Sequence, residues 1–204
     1  MSPSGIAIFS KVCEMKHKQF YALKSSLPML LFDGGTLITF QRFFECCEAF
    51  LPENALAFLR SLDLCPLAEK KFPGASSMDS YARWEITLRN TLARLRGAKL
   101  SLDAEPYLVT LEGEEEFSAA AAARNIFAMQ ADPLEKDRAL DRARWEYLES
   151  MELEHTFDFD SLCIYYCKML IRSKWLARRK EIAAENLNKA ALLSEKASEN
   201  VTVS

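Results

Sequence analysis

Hydrophobic residues recur with helical spacing along most of the chain, and the pattern is clearest in its last third. Asp132 followed three residues later by Glu135 matches a capping box, and Pro133 stands at the first helical position. Apolar residues then repeat every three or four positions up to about residue 152. The pattern therefore predicts a long helix over residues 132–152 that buries one face.

A second long helix is predicted directly after it. Asp158 or Asp160 can cap its start, and the following residues are apolar over most of the helical circumference. In a protein outside a membrane, such a helix has to be surrounded by other protein elements. We expect it to continue past Trp175 into the polar 180s and to end near residue 196, with a frayed tail over residues 199–204.

Earlier segments carry comparable start and stop signals. Thr39 can cap a helix, Pro52 suits a first helical turn, and Gly97 is typical of the position just after a helix. An acidic run beginning at Glu114 complements the dipole at the start of an alanine-rich helix. Together these signals predict four further helices, at residues 40–50, 52–62, 76–96 and 114–131.

The fold class is therefore mainly α, a multi-helix bundle with long C-terminal helices. Residues 20–31 are the exception, because an apolar run interrupted by Pro28 favours a short strand or extended segment there. Residues 1–18 match no later pattern and are predicted to be a disordered extension, with Met15 as an alternative start. The domain organisation is one helical domain over residues 19–198.

Composition narrows the class of protein without naming a function. The 204 residues carry a net charge of -3, which gives no general reason to expect nucleic acid as a partner. No apolar run reaches the roughly 18–20 residues that span a bilayer, so membrane insertion is not predicted. Six cysteines without C-x-x-C spacing predict reduced, mostly buried thiols in a cytoplasmic protein.

Candidate chemical sites are few. Cys163 and Cys167 share a helical face and could supply two metal ligands, but no further ligand at recognisable spacing completes a zinc site, which favours core thiols. Asp158 and Asp160 could perform acid–base chemistry, yet a helix cap explains one of them. His155 lies across the helix-start turn from the cysteines. The sequence predicts no catalytic residue, no cofactor and no metal.

The last helix carries a narrow polar stripe. At 100° per residue, Lys168, Arg172, Trp175 and Arg179 fall within a narrow sector of an otherwise apolar helix. The stripe has two interpretations. It either forms an internal ion-pair seam with acids of a neighbouring helix, or it binds an acidic partner, since Arg and Trp are enriched at interface hot spots.

Eight short motifs are spread over roughly residues 20–185. They are Tyr21–Leu30, Leu88-Arg89-Asn90, Leu95–Lys99, Asp132–Glu135, Arg144-Trp145, Phe157–Asp160, Tyr165 with Lys168, and Lys174-Trp175. In this order, the motifs resemble those of a bacterial family of unknown function encoded among V-type (A/V-type) ATP synthase subunits.

The resemblance implies a non-catalytic, helical part of a rotary ATPase, similar in role to the helical protein of the central stalk that joins the rotor shaft to the membrane ring. Its partners would be V-type ATP synthase subunits, and it would lie in the cytoplasm, on the cytoplasmic face of the inner membrane through the complex. Two alternatives stay open. The protein could be a transient assembly factor for that complex, or a helical regulator that binds a small ligand or a metal ion through Cys163, Cys167 and the nearby carboxylates.

Overall fold

The computed structural model describes the backbone of residues 17–35, 37–66, 75–111 and 115–201, and side chains over residues 20–35, 37–66, 75–111 and 115–181. Within these ranges the chain is all-helical and contains no strand, which confirms the predicted fold class. The helices are α1 (His17–Ser26), α2 (Phe40–Glu48), α3 (Glu53–Arg60), α4 (Ser76–Leu100), α5 (Phe117–Ala128), α6 (Pro133–Glu152) and α7 (Phe159–Val201), with a 3₁₀ turn at Glu105–Tyr107.

The predicted helix starts are largely confirmed. The Thr39 side chain accepts a hydrogen bond from the Arg42 amide at 3.1 Å. Asp132 and Glu135 form both halves of the capping box. These side chains satisfy amide donors that a helix start leaves without partners. Pro52 lies one position before α3 rather than inside its first turn.

The helix ends were predicted less well, and Gly97 is the clearest case. The sequence placed Gly97 after the helix, but α4 continues to Leu100 and ends at Ser101, which adopts a left-handed conformation with φ 55°. A Cβ atom at Gly97 would lie 2.8 Å from the Leu102 carbonyl oxygen. Glycine is therefore needed because the following loop folds back against the helix, not because the helix stops there.

The extended segment predicted at residues 20–31 is wrong in its first half, because helix α1 runs to Ser26. Pro28 disfavours helical backbone at the residue before it, which is why the helix ends here and residues 28–31 have no regular structure. Of the predicted disordered extension, residues 17–18 lie in α1 and residues 1–16 lie outside the described residues.

Helices α4, α5 and α6 share a hydrophobic core. Trp84, Leu88 and Leu92 of α4 pack with the alanines of α5, and the Trp84 ring stacks on Tyr147 of α6 at a centroid distance of 4.8 Å. Small alanine side chains let α5 lie close to α4, while the aromatic rings fill the wider space towards α6. Each fully buried large side chain contributes about 1.5–3 kcal/mol, so this core outweighs the modest helix propensity of α4.

The start of α7 forms a second part of the core. Phe43 of α2 stacks against Tyr165 and Tyr166 with centroid distances of 5.7 Å to each ring. Cys163 and Cys167 are fully buried in the same helix segment. The strongly apolar helix predicted from the sequence is thus surrounded by protein over its first three turns.

Helix α7 contains 43 residues. The chain falls into two compact units, residues 1–170 and 171–204, and the boundary lies inside this helix. In the second unit, Lys174 and Arg178 lie over the Trp175 ring at 5.6 and 4.9 Å.

None of the described helices combines the length and apolar character needed to cross a membrane. The predicted domain boundaries stay a prediction.

Candidate functional site

A pocket of about 430 Å³ lies in the first unit, between α1, the segment after it, the end of α6 and the start of α7. The backbone segment over residues 27–31 forms its apolar wall. The Tyr165 hydroxyl donates a hydrogen bond to the Pro28 carbonyl at 2.8 Å, which fixes this segment against α7. The pocket is also lined by Lys24, Glu149, Glu152, His155, Thr156 and Lys168.

The charged groups of the pocket are paired with one another. The Lys168 ammonium donates to Glu152 at 2.7 Å and lies 3.5 Å from Glu149. The Lys24 ammonium lies 3.5 Å from the other oxygen of Glu152 and donates to the Ser161 carbonyl at 3.1 Å. Burial lowers the pKa of Lys24, an effect that the charge of Glu152 partly offsets. The positive charges of the two lysines are therefore balanced by the negative charges of the two glutamates. The pocket suits a ligand of low net charge rather than a strongly charged one.

Beside the pocket, the turn between α6 and α7 brings together one histidine and two aspartates. The His155 Nδ1 atom lies 2.7 Å from Asp158 and 3.8 Å from Asp160. Asp158 also accepts a hydrogen bond from the Ser161 amide at 2.8 Å, so Asp158 is the residue that caps α7. Asp160 instead accepts hydrogen bonds from the amide and hydroxyl of Ser77 at the start of α4.

The protonation of this turn is set by opposing effects. Burial acts to lower the pKa of His155, but the hydrogen bond to Asp158 and the charge of Asp160 raise it overall. Burial raises the pKa of Asp160, while the two hydrogen bonds from Ser77 act in the opposite direction. Asp160 is a buried carboxylate beside a second carboxylate, Asp158, and the negative charge of the pair favours a positive charge next to it.

A separate ionic cluster lies in the interior between α4 and α6. The Arg144 guanidinium makes a bidentate pair with Glu85 at 2.9 and 2.7 Å and a third bond to Asp141 at 2.7 Å. Both carboxylate side chains are fully buried. Burial opposes the charged form of Arg144, but Glu85 more than compensates and the pKa of Arg144 is raised. The cluster is closed and serves to hold α4 against α6.

The comparison with known families gives one match. The sequence pattern of a family described as a protein of unknown function (DUF2764) matches residues 67–189, more than half of the chain. The chain belongs to this family. No curated protein and no solved structure matches it.

The DUF2764 region contains most of the residues described above. It includes the Arg144 cluster and the turn around His155, whereas Lys24 lies outside it. The prediction of a family of unknown function is therefore confirmed.

The predicted polar stripe occupies several different environments. Lys168 is buried and takes part in the internal ion pair with Glu152, which was one of the two interpretations. In the second unit, Arg172 is half-buried, Trp175 is buried with the Arg178 guanidinium over its ring, and Arg179 is exposed. Partner binding by the stripe stays a prediction.

The cysteine pair has the core environment that its spacing favoured. Cys163 and Cys167 have no solvent exposure, and the Cys167 sulfur lies 3.9 Å from the Met78 sulfur. Burial raises the pKa of Cys167 to about 12 and that of Cys163 well above its ordinary value. Both thiols therefore stay protonated at neutral pH.

Sequence reasoning missed the two ionic groups. The i, i+3 spacing of Asp141 and Arg144 is a signal for a local ion pair, but nothing in the sequence links them to Glu85, which is 59 residues away from Arg144. For Asp158 and Asp160, the sequence favoured a helix cap over acid–base chemistry. The hydrogen bonds from Ser77 to Asp160 form because the start of α4 packs against the start of α7. The sequence pattern of one segment contains no information about that contact.

Proposed function

We propose that this chain is a non-catalytic structural subunit of a bacterial V-type ATP synthase. It would help to connect the soluble ATPase head to the membrane sector, at the central stalk, during proton-driven ATP synthesis or ATP-driven ion transport. Its location would be the cytoplasmic face of the inner membrane. The family resemblance described from the sequence motivates the assignment, and the mechanism follows from the helices.

The observation that carries the proposal is helix α7. Its start lies in the first unit, where Phe159, Leu162 and Ile164 are buried. Burial of these three side chains alone provides gross stabilisation of roughly 5–9 kcal/mol for the start of the helix. A helix whose start is packed in this way is suited to a structural role rather than a catalytic one.

The sequence of α7 just after the boundary indicates what kind of partner it would bind. Residues 172–180 contain five basic residues and no acidic residue. Arg179 is exposed in this segment, and Arg172 is half-buried. A concentration of positive charge favours an acidic protein surface, since such charges speed association and fix the orientation of the partner.

Co-purification tests this proposal. The tagged chain should recover the catalytic subunits of the V-type ATP synthase at moderate salt, and the variant Arg172→Glu/Arg179→Glu should reduce that recovery at least about tenfold. The matched control is Arg124→Glu, an exposed arginine of α5. Circular dichroism must show the same helical signal for all three proteins. Equal recovery with the stripe variant and the control would contradict the docking surface.

One alternative is an assembly factor that binds the same subunits only transiently. It predicts the chain in immature complexes and its absence from the finished enzyme, so stoichiometry in the purified complex separates the two roles.

The second alternative is a small-ligand regulator, and the pocket of about 430 Å³ is the observation in its favour. Its apolar wall and internally paired charges fit a ligand of low net charge. Thermal-shift measurements with neutral metabolites test it, because a ligand at one hundred times its Kd should stabilise the fold by about 2.7 kcal/mol.

A further inference from the structure

The turn before α7 and the first turn of α7 bring together one histidine and two aspartates. We propose that His155, Asp158 and Asp160 bind one divalent transition-metal ion. The ligand atoms of the three side chains all lie within 4.8 Å of one another. This inference is independent of the proposed role in the ATP synthase.

One oxygen of each carboxylate is held by a hydrogen-bond donor, from the start of α7 for Asp158 and from α4 for Asp160. Asp158 uses Oδ1 to accept the Ser161 amide, and Asp160 uses Oδ1 to accept both the amide and the hydroxyl of Ser77. The Oδ2 atom of each aspartate faces His155 Nδ1, at 2.7 and 3.8 Å. Hydrogen bonds that fix the non-ligating oxygen are the usual support of metal-binding carboxylates.

The spacing of these atoms is close to what a metal ion requires. Ligands at about 2.0–2.2 Å from a metal ion are separated from each other by about 3.0–3.5 Å in octahedral or tetrahedral geometry. The two distances from His155 Nδ1, 2.7 and 3.8 Å, lie on either side of that range, and the three ligand atoms all lie within 4.8 Å of one another. Side-chain shifts of less than about 1 Å would therefore convert the hydrogen-bonded group into a coordination group.

Charge and ligand type indicate which ions would bind. Two carboxylates and a neutral imidazole carry a charge of -2, which a divalent cation balances. Lys24 is the nearby cation, but its ammonium is engaged with Glu152 and the Ser161 carbonyl. One nitrogen and two oxygen ligands suit Zn²⁺ or Mn²⁺. His155 also lines the pocket, so the remaining coordination positions would open towards it.

The experiment is a titration of the full chain with Zn²⁺ alone, followed by calorimetry and by the ¹⁵N signals of the imidazoles. We expect one equivalent to bind, with a change at His155 Nδ1. His155→Gln and Asp158→Asn should each weaken binding at least about tenfold, and Asn keeps the ability to cap α7. Ser77→Ala removes the hydroxyl donor to Asp160 but keeps the amide donor, and it should weaken binding about tenfold.

Asp132→Asn is the matched control, because it makes the same change at the cap of α6 and should bind Zn²⁺ like the parent chain. Circular dichroism verifies the fold of each variant. Absence of Zn²⁺ binding would overturn the site, and so would binding that His155→Gln leaves unchanged, since the ligands would then be thiols. Loss in the two ligand variants with retention in Asp132→Asn would support it.

Discussion

Replacing Arg144 by methionine should destabilise the fold by about 3–5 kcal/mol, because the change leaves two buried carboxylates without their main partner. Glu85 and Asp141 have no exposed side-chain surface, and Arg144 supplies three hydrogen bonds of 2.7–2.9 Å to them. Arg89 lies 3.5 Å from Glu85 and offsets part of the loss, which places the expected value near about 3 kcal/mol. Methionine retains most of the volume and the helix propensity of arginine.

The assay is urea unfolding followed by the helical signal in circular dichroism. With a slope of about 2 kcal/mol per molar urea, a loss of about 3 kcal/mol lowers the midpoint by about 1.5 M. The control is Arg142→Met in the same helix, whose side chain is 48% exposed and pairs with Asp33 at 2.9 Å. A surface pair of this kind contributes about 1 kcal/mol or less. A similar small shift for both variants would refute the view that the interior cluster holds α4 against α6.

A double-mutant cycle between Glu85→Gln and Arg144→Met extends this test to the pair itself. If the two groups stabilise each other directly, the double variant should be less destabilised than the sum of the single variants, by about 0.5–3 kcal/mol. Additive effects would mean that each group acts through other neighbours.

Three further predictions follow from local geometry. Gly97→Ala should lower stability by about 1–3 kcal/mol, although alanine favours helices, because the new Cβ would meet the Leu102 carbonyl at 2.8 Å; a gain in melting temperature would contradict this. Burial raises the pKa of Cys47 and Cys167 to about 12, so mass spectrometry after iodoacetamide treatment should find both unmodified until urea unfolds the chain. Asp132→Ala should cost about 0.5–2 kcal/mol in urea unfolding, and an unchanged midpoint would show that the capping box is unimportant.

Local signals in the sequence were sufficient to predict most helix starts. A cap such as Asp132 acts within one turn, and its partner Glu135 is three residues away, so the pattern contains the whole interaction. The apolar start of α7 was equally informative, because only burial explains such a helix. These features allowed the helical fold class and the buried thiols at residues 163 and 167 to be predicted.

What the sequence could not provide depends on contacts between distant segments. Gly97 is a typical helix stop by composition, yet its role is set by the loop that returns to Leu102. Glu85 and Arg144 look like ordinary surface charges in their own helices, and only the packing of α4 on α6 makes them a buried pair. The group of His155, Asp158 and Asp160 was interpreted from the sequence of one segment alone. Ser77, which donates a hydrogen bond to Asp160, lies 83 residues away from it in the chain.

The central claim is that the long helix α7 serves a protein assembly rather than a reaction. The most direct test is the copy number of this polypeptide in V-type ATP synthase purified in its native state, measured by mass spectrometry with and without chemical crosslinking. The account predicts a fixed, integral stoichiometry with the catalytic subunits and crosslinks that include residues of the basic segment 172–180. Complete enzyme without this chain, even after crosslinking, would contradict it.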